Sequence, residues 1–138
     1  MNAGRSKKIS ILIVEDDRAA SDLIRRMIAM QFPELIIYEA EDGVVGEELF
    51  HRHTPDIVIT DVAMPYKDGI EMAKAVKSSR PGTRLIIISA HNDLFYLEQF
   101  KEIGIHCYLL KPLDLNELMT ALQEYLEEII AAEKPPAR

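Results

Sequence analysis

The segment Asp56-Ile57-Val58-Ile59-Thr60-Asp61-Val62-Ala63-Met64-Pro65 runs from β-branched residues straight into a carboxylate and then a proline. Ile57, Val58 and Ile59 leave no polar side chain to face water on either side. That pattern belongs to a strand buried on both faces, as in a parallel sheet. Asp61 falls where such a strand runs out. In open α/β sheets, the carboxyl ends of the strands are where ligands bind. Pro65 and Asp68-Gly69 mark the loop that follows. An Asp at a strand end also serves in plain turns, so the other strand ends decide what Asp61 means.

Four more short apolar runs, over residues 9–14, 35–40, 84–89 and 107–110, read as strands. Between them apolar residues recur at helical spacing. Leu23, Ile24, Met27 and Ile28 give a first helix, capped by Asp17 and ended by Pro33. Val44, Val45, Leu49 and Phe50 give a second, with His51 and His53 at its C-terminal end. Met72, Ala73 and Val76 form the apolar side of a third over 70–78. Leu94, Leu97 and Phe100 mark a fourth over 92–103, which Gly104 stops. A fifth opens at Asp114, with Glu117 as its capping-box-like partner. It carries Leu115, Leu118, Met119, Leu122, Leu126, Ile129 and Ile130 as its stripe. Strands alternating with helices imply a parallel sheet covered on both faces, and right-handed crossovers leave few strand orders. The expected fold is α/β: a single doubly wound five-stranded parallel sheet, order 2-1-3-4-5, flavodoxin-like (βα)5. Its topological switch point lies at the ends of strands 1 and 3.

The 138 residues suffice for one domain with a proper core. We expect a loose basic leader over 1–8, one domain over 9–131 and a linker or tail over 132–138. Sixteen Lys and Arg against 23 Asp and Glu give a net charge of −7, which argues against direct nucleic-acid binding by this domain. A single cysteine excludes an intrachain disulfide and fits a reducing compartment. No apolar run approaches the roughly 20 residues of a membrane helix, and no signal peptide precedes Glu15. The expectation is a cytoplasmic protein without membrane contact.

Strand 1 ends in Glu15-Asp16-Asp17, strand 3 in Asp61, strand 4 in Ser89 and strand 5 in Lys111. In the expected order these converge on one edge of the sheet. Crowded carboxylates raise one another's pKa unless a cation offsets them, and one Lys is not enough. Oxygen-only ligands favour Mg²⁺ (or Mn²⁺) and disfavour zinc or copper. A metal-bound carboxylate beside a Lys and a hydroxyl suits phosphoryl transfer, with Asp61 attacking phosphorus to become an aspartyl phosphate. Each residue has a plainer role open to it: the acidic triplet and Ser89 as helix caps, Lys111 as a solvated charge. Their joint occurrence, in order, at four strand ends favours the site.

The stretches Ile11-Leu12-Ile13-Val14-Glu15-Asp16-Asp17, Asp56 to Pro65 with Asp68-Gly69, Ile88-Ser89-Ala90 and Tyr108-Leu109-Leu110-Lys111-Pro112 resemble the receiver domain of two-component response regulators. The resemblance spans nearly the whole chain. It implies Asp61 as phosphoacceptor, Glu15 and Asp16 as the acidic pair at the metal, and Asp16, Asp61 and the Ala63 backbone carbonyl as direct ligands. It further implies Ser89 as the switch hydroxyl, Tyr108 as the switch aromatic, Lys111 as the phosphoryl-binding lysine and a cis Lys111-Pro112 peptide. A histidine kinase or phosphotransfer protein would supply the phosphoryl group. The face of helix 4, strand 5 and helix 5 would then change for a downstream protein or output domain, in some members through a phosphorylation-linked dimer. Phe95 and Tyr96 are expected to contribute to that face, with core packing as the plainer role open to Phe95. Such a domain is a switch that catalyses only its own phosphorylation and slow dephosphorylation. Ala63 and His91 occupy the positions that tune dephosphorylation, and Ala63 has no side chain to hold a water, so a long-lived phosphoryl group is expected. His106 and Cys107 stand where many DNA-binding members carry an acidic pair, which speaks against the familiar charged dimer.

Three other readings compete with this one. A receiver-like binding module working without phosphate has no support in a site whose every position holds a competent residue. A haloacid dehalogenase-like phosphatase needs a second Asp where Ala63 stands, and a nucleotide-binding enzyme needs glycines where Glu15-Asp16-Asp17 stands. His51-Arg52-His53 reads as a solvated helix end rather than a metal site, and Cys107 as a small buried strand residue.

Overall fold

The computed structural model describes residues 8–62, 69–90, 94–105 and 107–133, and of 94–96 the backbone alone. Strands and helices alternate as β1 Ser10–Val14, α1 Arg18–Gln31, β2 Ile36–Ala40, α2 Gly43–His53, β3 Ile57–Asp61, α3 Gly69–Ser79, β4 Arg84–Ser89, α4 Leu94–Ile103, β5 Cys107–Leu110 and α5 Leu115–Glu133. The sheet is parallel throughout and ordered β2-β1-β3-β4-β5, the order expected of a flavodoxin-like α/β fold.

The unbroken apolar runs are explained by two buried faces. Ile11, Ile13, Ile57, Ile59, Ile86 and Ile88 pack with Ile24 and Ile28 of α1 and Leu118, Leu122 and Leu126 of α5. The intervening Leu12, Val14, Val58, Leu85 and Ile87 pack with Phe50 of α2, Met72 and Val76 of α3 and Phe100 of α4. Neighbouring residues of one strand thus enter different cores, so neither alternate position tolerates a charge. The register pairs Val14 with Thr60, Asp61 with Ile88 and Ser89 with Leu110. Those pairings bring the ends of β1, β3, β4 and β5 to the same level.

Helix ends follow the expected chemistry. Asp17 Oδ1 accepts from the amides of Ala19 and Ala20 at 3.0 and 3.2 Å. Asp42 accepts from Val45 at 2.8 Å, and Asp114 from Asn116 at 2.9 Å. Gly104 ends α4 at φ +97°, with its amide donating to Phe100 O at 3.1 Å.

Three expectations need correction. Leu23 and Val44 were placed on apolar helix faces, yet they are 51% and 53% exposed. The buried line of α1 is Ser21, Ile24 and Ile28, and Leu23 lies about 100° around the helix from Ile24. In α2 the buried line is Gly43, Gly46 and Phe50, which turns Val44 outward. His53 is not a solvated end residue: its ring stacks on Tyr38 with centroids 4.1 Å apart, while His51 and Arg52 stay exposed as expected. Cys107 is half-buried rather than enclosed. Among the described residues no helix is long and apolar enough to cross a membrane.

Phe50 is fully buried between α2 and the sheet. Phe50→Ala is expected to cost about 3–5 kcal/mol in denaturant unfolding. At Gly104 nothing lies within 4 Å of an added Cβ, so only the backbone objects. Gly104→Ala should therefore cost about 1–2 kcal/mol in the same measurement.

Candidate functional site

The acidic triplet after β1 is divided by the fold. The amide of Glu15 still pairs with β2, donating to Ala40 O at 3.0 Å, so its side chain stays buried at the sheet edge. Glu15 Oε2 accepts from the Asp17 amide at 3.0 Å. Asp17 caps α1, and Asp16 between them is exposed. Asp61, the last residue of β3, is only 5% exposed. One carboxylate oxygen from each of Glu15, Asp16 and Asp61 lies within 4.8 Å of the others. The sheet register accounts for this, because Val14 opposite Thr60 puts Glu15 and Asp61 at the next step.

Lys111 enters from the end of β5, tied down by its amide donating to Ser89 O at 2.7 Å. Its Nζ donates to Asp61 Oδ2 at 2.5 Å and stands 3.7 Å from Glu15 Oε1. The peptide to Pro112 is cis. Ser89 is buried at the end of β4, one step beyond the Asp61–Ile88 pairing. Tyr108 is half-buried on β5, its ring tilted against Phe100 at 5.7 Å. The chain thus gathers Glu15, Asp16, Asp61, Ser89 and Lys111 at one edge, with Tyr108 behind them. Ala63 and His91 lie outside the described residues, as do His106 and the side chains of Phe95 and Tyr96.

The electrostatics of this cluster are costly without a cation. Two carboxylates at such separations repel by roughly 3 kcal/mol at an effective dielectric near 20. Burial pushes the Glu15 carboxyl up to about 7; the Asp17 amide opposes this, contact with Asp16 and the charge of Asp61 add to it, and Lys111 offsets part. The Lys111 ammonium is penalised by burial, but its bond to Asp61 and the surrounding carboxylates carry its pKa above the ordinary value. Three carboxylates meeting one ammonium leave excess negative charge. The donor set is oxygen alone, which fits a hard divalent ion such as Mg²⁺ or Mn²⁺.

Several features here carried no signal in the sequence. Thr60 Oγ1 donates to the Asp61 carbonyl at 3.0 Å, and the Gly69 amide donates to Val62 O at 2.8 Å. An open groove of about 750 Å³ adjoins the site between α1 and the end of β2, lined by Asp16, Arg18, Arg25 and Glu39 among others. Glu39 is held there by Ser21 Oγ at 2.7 Å and Arg25 Nε at 3.1 Å. These ties join residues far apart in the chain, and no local pattern announces them.

Comparison with known proteins agrees with this arrangement. Residues 11–123 match the family described as response regulator receiver domain. The transcriptional regulatory protein DegU of Brevibacillus brevis is 28% identical over 116 residues, covering 84% of this chain and 49% of DegU. The response regulator MprA of a Mycobacterium species is 30% identical over 127 residues, covering 92% of this chain and 54% of MprA. The chain therefore spans about half the length of these two curated relatives. The receiver domain of AraT, a response regulator from Geobacillus stearothermophilus, superposes with a TM-score of 0.83 at 28% identity, covering 93% of this chain and all of that one. Acidic oxygens, a lysine and a buried serine converge at the carboxyl edge of a 2-1-3-4-5 sheet, over a match that runs from β1 into α5: this chain belongs to the response regulator receiver domain family.

Proposed function

We propose that this domain is a phosphorylation-activated switch in which Asp61 accepts a phosphoryl group from a histidine kinase or phosphotransfer protein. One observation carries the reading: a buried strand-end carboxylate is held 2.5 Å from a lysine ammonium and within 4.8 Å of oxygens from Glu15 and Asp16. An Asp61 oxygen attacks phosphorus, an O–P bond forms, and the P–N bond to the donor imidazole breaks with the electron pair leaving on nitrogen. Lys111 then faces the new phosphoryl oxygens instead of a free carboxylate. Ser89, buried at the end of β4, would donate to one of those oxygens. Glu15, Asp16 and Asp61, with the Ala63 carbonyl, would hold Mg²⁺, which supplies charge neutralisation on the phosphoryl group.

Movement of Ser89 toward the phosphoryl group would leave space for Tyr108 to turn inward, reshaping the α4–β5–α5 face that a downstream protein or output domain reads. The greater length of the relatives is in keeping with an output partner. The domain over 9–131, with residues outside it as leader and linker, and a cytoplasmic setting are part of the same reading.

Mg²⁺ should raise the thermal unfolding midpoint, the stabilisation reaching about 2.7 kcal/mol at a hundredfold excess over Kd. Asp16→Asn should lose most of that rise. Acetyl phosphate with Mg²⁺ should add one phosphoryl group by intact mass, with none added to Asp61→Asn. Failure of the wild type to gain that mass would favour a phosphate-independent binding module; a sizing column on the same sample reports any linked dimer. Phosphorylated wild type should also outlast phosphorylated Ala63→Asn, whose amide can hold the attacking water.

A further inference from the structure

We propose that Gly69, together with Thr60, is a positioning residue for the acceptor: the two grip the Asp61–Val62 peptide and thereby aim the Asp61 carboxylate. The inference rests on the phosphoacceptor reading above. The direction of the Asp61 side chain is set by its backbone, and that backbone sits where the sheet gives out. Val62 makes the last ladder contact, its amide donating to Ile88 O at 3.0 Å. Gly69, the first residue of α3, closes its amide on Val62 O at 2.8 Å. The Asp61 carbonyl is held separately, by Thr60 Oγ1 at 3.0 Å, and Thr60 is fully buried.

Gly69 lies directly against that same carbonyl. A Cβ placed on it would overlap the Asp61 carbonyl oxygen and come within 2.8 Å of Val62 Cα and 3.0 Å of the Asp61 carbonyl carbon. All three are backbone atoms, so none can rotate away. The glycine is not there for its conformation, because among the described glycines the positive φ belongs to Gly104. It is there for proximity. The contrast with other glycines is specific. Gly46 would meet only side-chain carbons of Val14 and Met72, and Gly82 would meet nothing within 4 Å. A side chain at 69 must therefore displace the acceptor peptide itself. Metal ligation tolerates only a few tenths of an ångström, and Mg²⁺ demands near-octahedral oxygens. A shift of the Asp61 backbone is thus read out first as lost metal affinity and misaligned attack rather than as lost fold.

The test compares wild type, Gly69→Ala, Thr60→Val, Thr60→Ser and Gly82→Ala. MgCl₂ is titrated by calorimetry well below each melting midpoint, and phosphorylation rates are taken across acetyl phosphate concentrations to separate saturation from maximal rate. Gly69→Ala should weaken Mg²⁺ binding by roughly tenfold to a hundredfold, the range for residues that orient metal ligands, and lower the maximal phosphorylation rate. Thr60→Val should weaken Mg²⁺ binding to a smaller extent, and Thr60→Ser, which keeps the hydroxyl, should restore it. Gly82→Ala should change neither quantity. A folded Gly69→Ala with wild-type Mg²⁺ affinity and rate overturns the proposal. Should Gly69→Ala not fold, Thr60→Val and Thr60→Ser decide, and equal Mg²⁺ affinity for the two overturns it. A wild type that binds Mg²⁺ but takes no phosphoryl group sinks the acceptor reading instead, and the Mg²⁺ affinities of the variants then judge the grip by themselves.

Discussion

Mutual repulsion among Glu15, Asp16 and Asp61, only partly offset by Lys111, is the constraint around which this fold is arranged. Such a cluster would be expelled from an ordinary protein interior. Here the two buried carboxylates are held in place by the sheet, while Asp16 stays exposed. Glu15 is pinned by the extension of the β1–β2 ladder and by the Asp17 amide. Asp61 is fixed by β3 and by the lysine from β5. Two of the three charges are thus held at strand ends, where a divalent ion would find ligands already in place.

The sheet order makes this arrangement affordable in only one place. At the boundary between β1 and β3 the crossovers depart to opposite faces. The central position of β3 brings its end within reach of β1 on one side and β4 on the other, with β5 supplying a long side chain from two strands away. A glutamate, an aspartate, a serine and a lysine separated by up to about a hundred residues in sequence become neighbours through register alone.

Much of this was legible in the chain beforehand, for a physical reason. Strands buried on both faces, as β1, β3 and β4 are, carry almost only apolar or β-branched residues, so the charged or polar residue where each run stops stands out: Glu15, Asp61 and Ser89. Helix faces were less legible, since an amphipathic stripe is wider than the contact it makes. Leu23 and Val44 belong to the pattern by composition but turn to solvent by about 100° of helical rotation. Least legible were contacts set by proximity of backbone. Thr60 reads as one more β-branched strand residue and Gly69 as one more turn glycine, and neither announces that it touches the Asp61–Val62 peptide. The stacking of His53 on Tyr38 was hidden likewise, because it joins a helix end to a strand it follows.

That last contact bears on how the molecule meets its own kind. β2 is an outermost strand, and its far side carries main-chain groups that could template a second sheet. On one face Tyr38 is covered by an imidazole, and on the other Glu39 is fastened to Ser21 and Arg25. An incoming strand would have to pass a charged, bulky border on either flank, so growth by strand addition at this edge is hindered.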